Sequence, residues 1–260
     1  ILALAAWAGP AQAKTIKVPE DQPTISAAIL AAEVGDKVKV DKGVYNEQII
    51  IDKAITVEGS GAKDTIIDGE NSTTLSSEGQ VRIVASGDVK FSKFTIRNAG
   101  RTGPYIAGAQ TTTRLGIWAQ SPVSGVTYTI EHNRIIGSND PDDDQDYGFY
   151  SNSGKESLVF TKNEVTKTGA NSILLELHSG PTDVSHNSFD VGVGPSDGYF
   201  NMNYGGTDIT TLQKVSHNTV DAGTGNPLVK ATGITVVAGF TGVNGGFTNV
   251  QIDNNKITNL

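Results

Sequence analysis

A chain of 260 residues without cysteine has neither a disulfide framework nor a thiolate metal site. Its formal net charge of −8 argues against nonspecific nucleic-acid binding, which needs a basic face. The same charge disfavours a polyanionic sugar unless a cation bridges the two. The 30 glycines, few charged residues and abundant Val, Ile and Thr are strand-and-turn composition.

Residues 1–13, ILALAAWAGPAQA, read as the tail of a secretory signal: an apolar stretch followed by Ala11-Gln12-Ala13, a small-x-small cleavage pattern. The run is too short to span a membrane. The protein is therefore expected to be exported, as a secreted, periplasmic or cell-surface protein, with a mature chain beginning near Lys14. Residues 24–34, TISAAILAAEV, are helical in pattern. Thr24 can cap this helix, Ile25, Ala28, Ile29 and Ala32 share one face, and Gly35-Asp36 ends it. Strand-like runs follow, KVKV, QIII and AITV, separated by turns containing Gly. The helix is expected to cover the open end of what comes after.

From residue 110 onward two kinds of segment alternate. Five fit one template of apolar residue, two variable residues, Asn, one variable residue and a second apolar residue. They centre on Asn133, Asn163, Asn187, Asn218 and Asn255, spaced 30, 24, 31 and 37 residues apart. Asn is the residue other than Gly that best tolerates a left-handed turn, so these asparagines are predicted to occupy the left-handed position and to hydrogen-bond from coil to coil as a ladder. Each is preceded by another strand: GIWAQ (116–120), YGFYSN (147–152), SILLELH (172–178), GYFNMNY (198–204) and TGITVVAG (232–239). Each coil thus reads as strand one, a loop, strand two, the Asn turn and strand three. Recurrence of this kind predicts a right-handed parallel β-helix of about eight coils, one domain over residues 14–260. The last coil reaches Leu260 without a cap, so the natural chain is expected to continue.

Alternation along strand one assigns Ile117, Phe149, Ile173, Leu175, Phe200, Met202, Ile234 and Val236 to the interior. The outward stripe is then Trp118, Gln120, Tyr150, Asn152, Leu174, Glu176, His178, Tyr199, Asn201, Asn203, Thr235 and Val237. Aromatic rings take the apolar face of a pyranose and amides take its hydroxyls. Trp118, Gln120, Tyr150, Asn152, Tyr199, Asn201 and Asn203 are therefore candidate glycan contacts, unless a long loop packs over the rings. Glu176 and His178, two apart on one strand, are the candidate pair for proton transfer. Arg101, Arg114 and Lys155 are the nearby cations.

The run Asp140, Asp142, Asp143, Asp144 and Asp146 is a candidate calcium loop, since Ca²⁺ takes about six to eight oxygen ligands; a solvated acidic loop is the alternative. His132, His186 and His217 share the position before the ladder Asn, and two of them on neighbouring coils could approach metal-ligand distance.

The segment Ile16 to Gly69 resembles the opening of bacterial right-handed β-helix proteins of the pectin-lyase-like superfamily. The resemblance rests on Pro23-Thr24-Ile25, Ala28-Ile29, Gly35-Asp36, Gly43-Val44-Tyr45 with Glu47, and Ile55-Thr56-Val57 with Gly59 and Gly61. The Asn-turn coils look like the superfamily's generic repeat. That superfamily includes pectate lyases, polygalacturonases, pectin esterases, uronan epimerases, phage tail-spikes, adhesins and an accessory protein for copper-site assembly, and a shared fold does not decide among them. The Gly-His-Gly and Arg-Ile-Lys segments of polygalacturonases, the Gln-rich and Asp-containing motifs of pectin esterases and the Arg-rich strand end of the main pectate lyases are not in this sequence. Asp140-Pro141-Asp142 and Tyr147-Gly148-Phe149 echo an epimerase motif without its His.

The expectation is an exported, monomeric protein that binds an acidic polysaccharide or cell-surface glycan along the strand-one face; the sequence leaves open whether it also degrades or modifies it as a lyase or hydrolase. The alternatives are a non-catalytic adhesin-like surface module and a periplasmic accessory protein for copper-site assembly.

Overall fold

The computed structural model describes residues 12–70, 79–100, 114–137, 146–169, 171–191, 200–204, 209–221, 234–238 and 248–258. Among them the strands form three parallel sheets of seven, nine and eight strands. The chain visits them in rotation, so successive coils stack as the 24- to 37-residue recurrence requires. Sheet I holds strand one of each coil, including Val81–Ile83, Arg114–Ala119, Asp146–Asn152, Ile173–Glu176 and Phe200–Tyr204. Sheet II holds strand two, for example Thr127–Glu131, Ser157–Thr161 and Thr182–Ser185, and sheet III holds strand three, for example Arg134–Ile136, Glu164–Thr168 and Ser188–Val191.

The single described helix, Ile25–Ala31, packs on the first strands and covers the solenoid end. Thr24 caps it as predicted, its hydroxyl accepting from the Ala27 N–H at 3.1 Å. The Glu47 carboxylate takes the N–H groups of Ile25 and Ser26 at 2.8 and 2.9 Å. At the other end the Lys53 ammonium donates to the carbonyls of Ile29, Leu30 and Ala32. Both helix ends are thus satisfied from the coil below. The predicted inner face, Ile25, Ala28, Ile29 and Ala32, is buried.

The interior is an aliphatic and aromatic column in which like positions stack. Ile117, Phe149 and Ile173 are each fully buried on adjacent strands of sheet I. The rings of Phe149 and Phe160 meet across the core at 5.2 Å. Each such side chain contributes about 1.5–3 kcal/mol.

The turn between sheets II and III departs from expectation in one position. The left-handed residue is the one before the asparagine: His132, Lys162, His186, His217 and Asn254 have φ of 56°, 56°, 60°, 57° and 51°. The asparagines themselves point inward, and Asn133, Asn163, Asn187 and Asn218 are buried. Each Oδ1 accepts the backbone N–H of the corresponding residue one coil earlier at 2.8–3.0 Å. Each Nδ2 donates to the carbonyl that closes sheet II in the preceding coil, as Asn187 does to Phe160 at 2.9 Å. Buried turn groups need partners, and a side chain with both donor and acceptor supplies them. The ladder is therefore inside the turn, while its left-handed neighbour is exposed. It reaches one coil further than the Asn template: Lys93 has φ 68°, and Phe94 N–H donates to Asn133 Oδ1 at 3.0 Å.

Candidate functional site

Alternation predicts the outer face of sheet I well where the strands run straight. Trp118, Gln120, Tyr150, Asn152 and Glu176 all reach the surface and are half-buried, while Ala119, Ser151 and Leu175 between them are buried. Register brings them together: Trp118 pairs with Tyr150, and Asn152 with Glu176. The face is therefore a short plateau with rings in one row and amide and carboxylate groups in the next.

The Tyr147 and Tyr150 rings stack at 5.8 Å, and Arg82, in register with Trp118, lays its guanidinium over the Trp118 ring at 4.8 Å. Among the described residues the Trp118 Nε1 is buried without a hydrogen-bond partner. Next to the rings a polar knot forms. The Tyr150 hydroxyl donates to Glu176 Oε2 at 2.6 Å, and Asn152 Nδ2 donates to the same oxygen at 3.1 Å and to the Tyr150 oxygen at 2.9 Å. Burial, followed by the Glu176 carboxylate, pushes the Tyr150 phenol up, so it stays a donor. Glu176 is thus held as a fixed acceptor, and it is the one carboxylate among these described outward side chains.

His178 does not join it. The strand ends at Glu176, Leu177 turns the chain with φ 53°, and His178 is carried inward, where it is 2% exposed. Its Nδ1 lies 3.3 Å from Ser151 Oγ and 3.7 Å from Glu156 Oε1. Glu156 is itself fully buried and accepts the Ser121 N–H at 2.8 Å. Serine, histidine and carboxylate meet here, but both partners face the same imidazole nitrogen. A nucleophilic triad needs them on opposite nitrogens, so this cluster is an internal polar brace. Burial holds the His178 pKa down to about 4 and pushes the Glu156 carboxyl up.

Three further placements correct the sequence reading. Leu174, assigned outward, is buried between Tyr150 and the next coil. Arg114 and Asp146, the first residues of their strands, are buried. A Cβ on Gly116 would stand 2.7 Å from Ile135 Cγ2, and one on Gly148 would stand 2.5 Å from Val165 Cγ1. At these two glycines the backbone of sheet I comes close to side chains of sheet III. Arg114 is therefore no surface cation, and Asp146 accepts the Gly169 N–H at 3.3 Å rather than facing a loop. Asp146 does not fit an exposed calcium loop.

Asp140, Asp142, Asp143, Asp144, Arg101 and Tyr199 lie outside the described residues. Asn201 and Asn203 continue the Leu174 and Glu176 registers by backbone position. His186 and His217 do sit on neighbouring coils, with rings parallel at 4.9 Å. They stack face to face instead of converging on a common point. Among the described residues no three His, Asp or Glu side chains gather as a metal site.

Arg82 was the contact missed in sequence. The alternation Val81-Arg82-Ile83, buried, half-buried, buried, is the signal that marks it.

Two solved structures are similar in fold. Pectin methylesterase from carrot aligns with a TM-score of 0.53 at 13% identity, over 97% of this chain and 84% of that one. The pectin methyl esterase of rice weevil aligns with a TM-score of 0.52 at 11% identity, over 94% and 88%. No protein-family model matches the chain, and no curated protein matches it in sequence. Parallel three-sheet coils and these neighbours show the fold of a right-handed parallel β-helix. Among the described residues no helix is long and apolar enough to cross a membrane.

Proposed function

We propose that this is an exported protein that binds an acidic polysaccharide along the outer face of sheet I. The observation that carries the reading is the in-register pair Trp118 and Tyr150, half-exposed beside the Asn152–Glu176 knot. Flat rings next to fixed hydrogen-bonding groups suit a sugar ring's apolar face and its hydroxyls. Arg82 adds a cation at the same face, suited to a uronate. The fold neighbours' being pectin methylesterases supports a pectin-like ligand. The cleavage pattern at Ala11-Gln12-Ala13 supports export. Because the pectin-esterase motifs are not in this sequence, binding comes before ester hydrolysis in this reading.

The test is calorimetric titration with oligogalacturonate and with a neutral glycan. Trp118→Ala is expected to weaken oligogalacturonate binding about tenfold or more, roughly 1.4 kcal/mol. Equal affinity in the variant, or equal binding of the neutral glycan, would remove the assignment.

A second reading, turnover, rests on the orientation of Glu176 by two donors. With His178 buried, proton transfer at this face falls to Glu176. If pectate, alginate or glycosaminoglycans yield unsaturated products or new reducing ends, Glu176→Gln is expected to cut that rate by about 10²–10⁴ while leaving affinity nearly unchanged. A variant as active as the parent would take Glu176 out of the chemistry.

A further inference from the structure

The edge between sheets II and III repeats one arrangement coil after coil. A buried ladder residue fixes the turn, and the left-handed residue before it stands out into solvent. Lys93, His132, Lys162, His186 and His217 fill that position in five successive coils. Strand spacing places them about 4.8 Å apart along the solenoid, and the parallel His186 and His217 rings, 4.9 Å apart, match that repeat. Four of the row, His132, Lys162, His186 and His217, line a groove of about 840 Å³, whose lining also includes Arg134 and Lys63. Lys63 belongs to the longer turn between Thr56–Gly59 and Thr65–Asp68, one coil before Lys93. Thr95 Oγ1 donates to Ala62 O and ties that turn down as an end wall.

Three carboxylates near this edge have cationic partners. Glu164 pairs with Arg134 at 3.3 Å, and Glu131 pairs with Lys90 at 2.6 Å and stands 3.8 Å from His132 Nδ1. Glu58 takes Lys93 at 2.7 Å. Among the described residues no carboxylate lies within ion-pair distance of Lys63, Lys162, His186 or His217. A chain of net charge −8 thus gathers a line of unpaired nitrogen donors on one edge. Turn geometry requires only a residue that tolerates the left-handed position, as Asn254 does. It does not require bases there.

We propose that this groove is a second glycan site, on a different edge of the solenoid from Trp118, for an extended acidic polysaccharide bearing one anionic group per sugar. One donor per coil at the strand repeat suits a polymer whose charges recur at about the length of a pyranose unit. Among the described residues no Phe, Tyr or Trp lines the groove, and a flat platform of such rings is what single-stranded nucleic acid stacks on. Exposed cations neutralising a polyanion release counterions, which makes the site salt-sensitive.

The experiment uses the full chain and titrates oligogalacturonate at about 50 and 200 mM salt. Four proteins are compared: the parent, Trp118→Ala, the triple variant Lys162→Asn, His186→Asn and His217→Asn, and all four substitutions together. Asn is chosen because Asn254 already holds this position, so the thermal midpoint should stay within a few degrees of the parent. In the Trp118→Ala background one salt-dependent binding event is expected to remain. The triple substitution should weaken it about tenfold or more and flatten its salt slope by about 1, the share of the Lys162 charge. Two results overturn the groove and leave the sheet I site standing: unchanged affinity on adding the triple substitution, or complete loss of binding in Trp118→Ala alone. Inorganic polyphosphate bound where oligogalacturonate is not would overturn the glycan assignment. Residual binding that only the triple substitution removes, with Trp118→Ala without effect, would support the groove and remove the sheet I site.

Discussion

Asn187→Ala is expected to destabilise the protein by about 4 kcal/mol, a large share of the roughly 5–15 kcal/mol that holds a domain folded. The side chain accepts the Asn163 N–H at 2.8 Å and donates to the Phe160 carbonyl at 2.9 Å. It also bonds the ladder amides on both sides, at 3.3 and 3.0 Å. Truncation leaves the buried Asn163 N–H without its partner, at about 1–3 kcal/mol, removes a donor from the Phe160 carbonyl and breaks the ladder in its middle. Stability in a solenoid depends on contacts between adjacent coils, so the loss falls on the interfaces above and below. Asn187→Asp keeps the acceptor and loses the donor, and should fall between alanine and the parent. The neighbouring exposed residue is the control: His186→Asn should change stability by no more than about 0.5 kcal/mol. Denaturant midpoints at constant slope measure both. A loss below about 1 kcal/mol for Asn187→Ala would mean that water replaces the ladder and that the turns do not hold the coils in register.

Mild acid is expected to destabilise the fold through His178. Its imidazole is held to about 4 in the folded protein by burial, while an unfolded chain titrates near 6.5. Between those values the unfolded state binds more protons, so stability rises with pH and is lost as pH falls from about 6.5 toward 4. The full span corresponds to about 3 kcal/mol. Glu156 works in the opposite sense. Burial raises its carboxyl, so the folded state holds a proton above the ordinary carboxylate value, and its contribution is lost as pH rises. Glu156→Gln should therefore steepen the acid-side loss, whereas His178→Gln should flatten it. Thermal unfolding of the three proteins from pH 7 to 4 separates the two groups. Parallel curves for the parent and His178→Gln would show that the imidazole is not buried neutral.

The repeat and the core were readable from sequence because they are periodic. The Asn template located the turns, and alternation placed Trp118 and Tyr150 on the surface and Ile117 and Phe149 inside. What escaped was local and depended on backbone geometry. The template showed a conserved turn position without saying which of its residues is left-handed, and the answer lies one residue earlier, at His132 and its equivalents. The requirement for buried partners turns the asparagine inward and leaves its neighbour free to vary. The Glu176–His178 pairing assumed a strand that continues, whereas Leu177 breaks it. The sequence reads Arg114 as a nearby cation and Asp146 as part of an acidic loop, whereas each opens a strand of sheet I and is buried. A one-residue change of direction inverts every later assignment on a strand. The acidic net charge also concealed the basic edge, because composition averages over faces that a solenoid keeps apart.

The measurement that reaches the central claim most directly is the emission of Trp118 during a titration with oligogalacturonate. The chain has two tryptophans, Trp7 and Trp118, so Trp7→Phe leaves Trp118 as the single reporter. A sugar seated on its ring changes the ring's surroundings, and a saturable change in emission is predicted, with a midpoint matching the calorimetric affinity. Binding detected by calorimetry while the emission stays constant would contradict a glycan site on the outer face of sheet I.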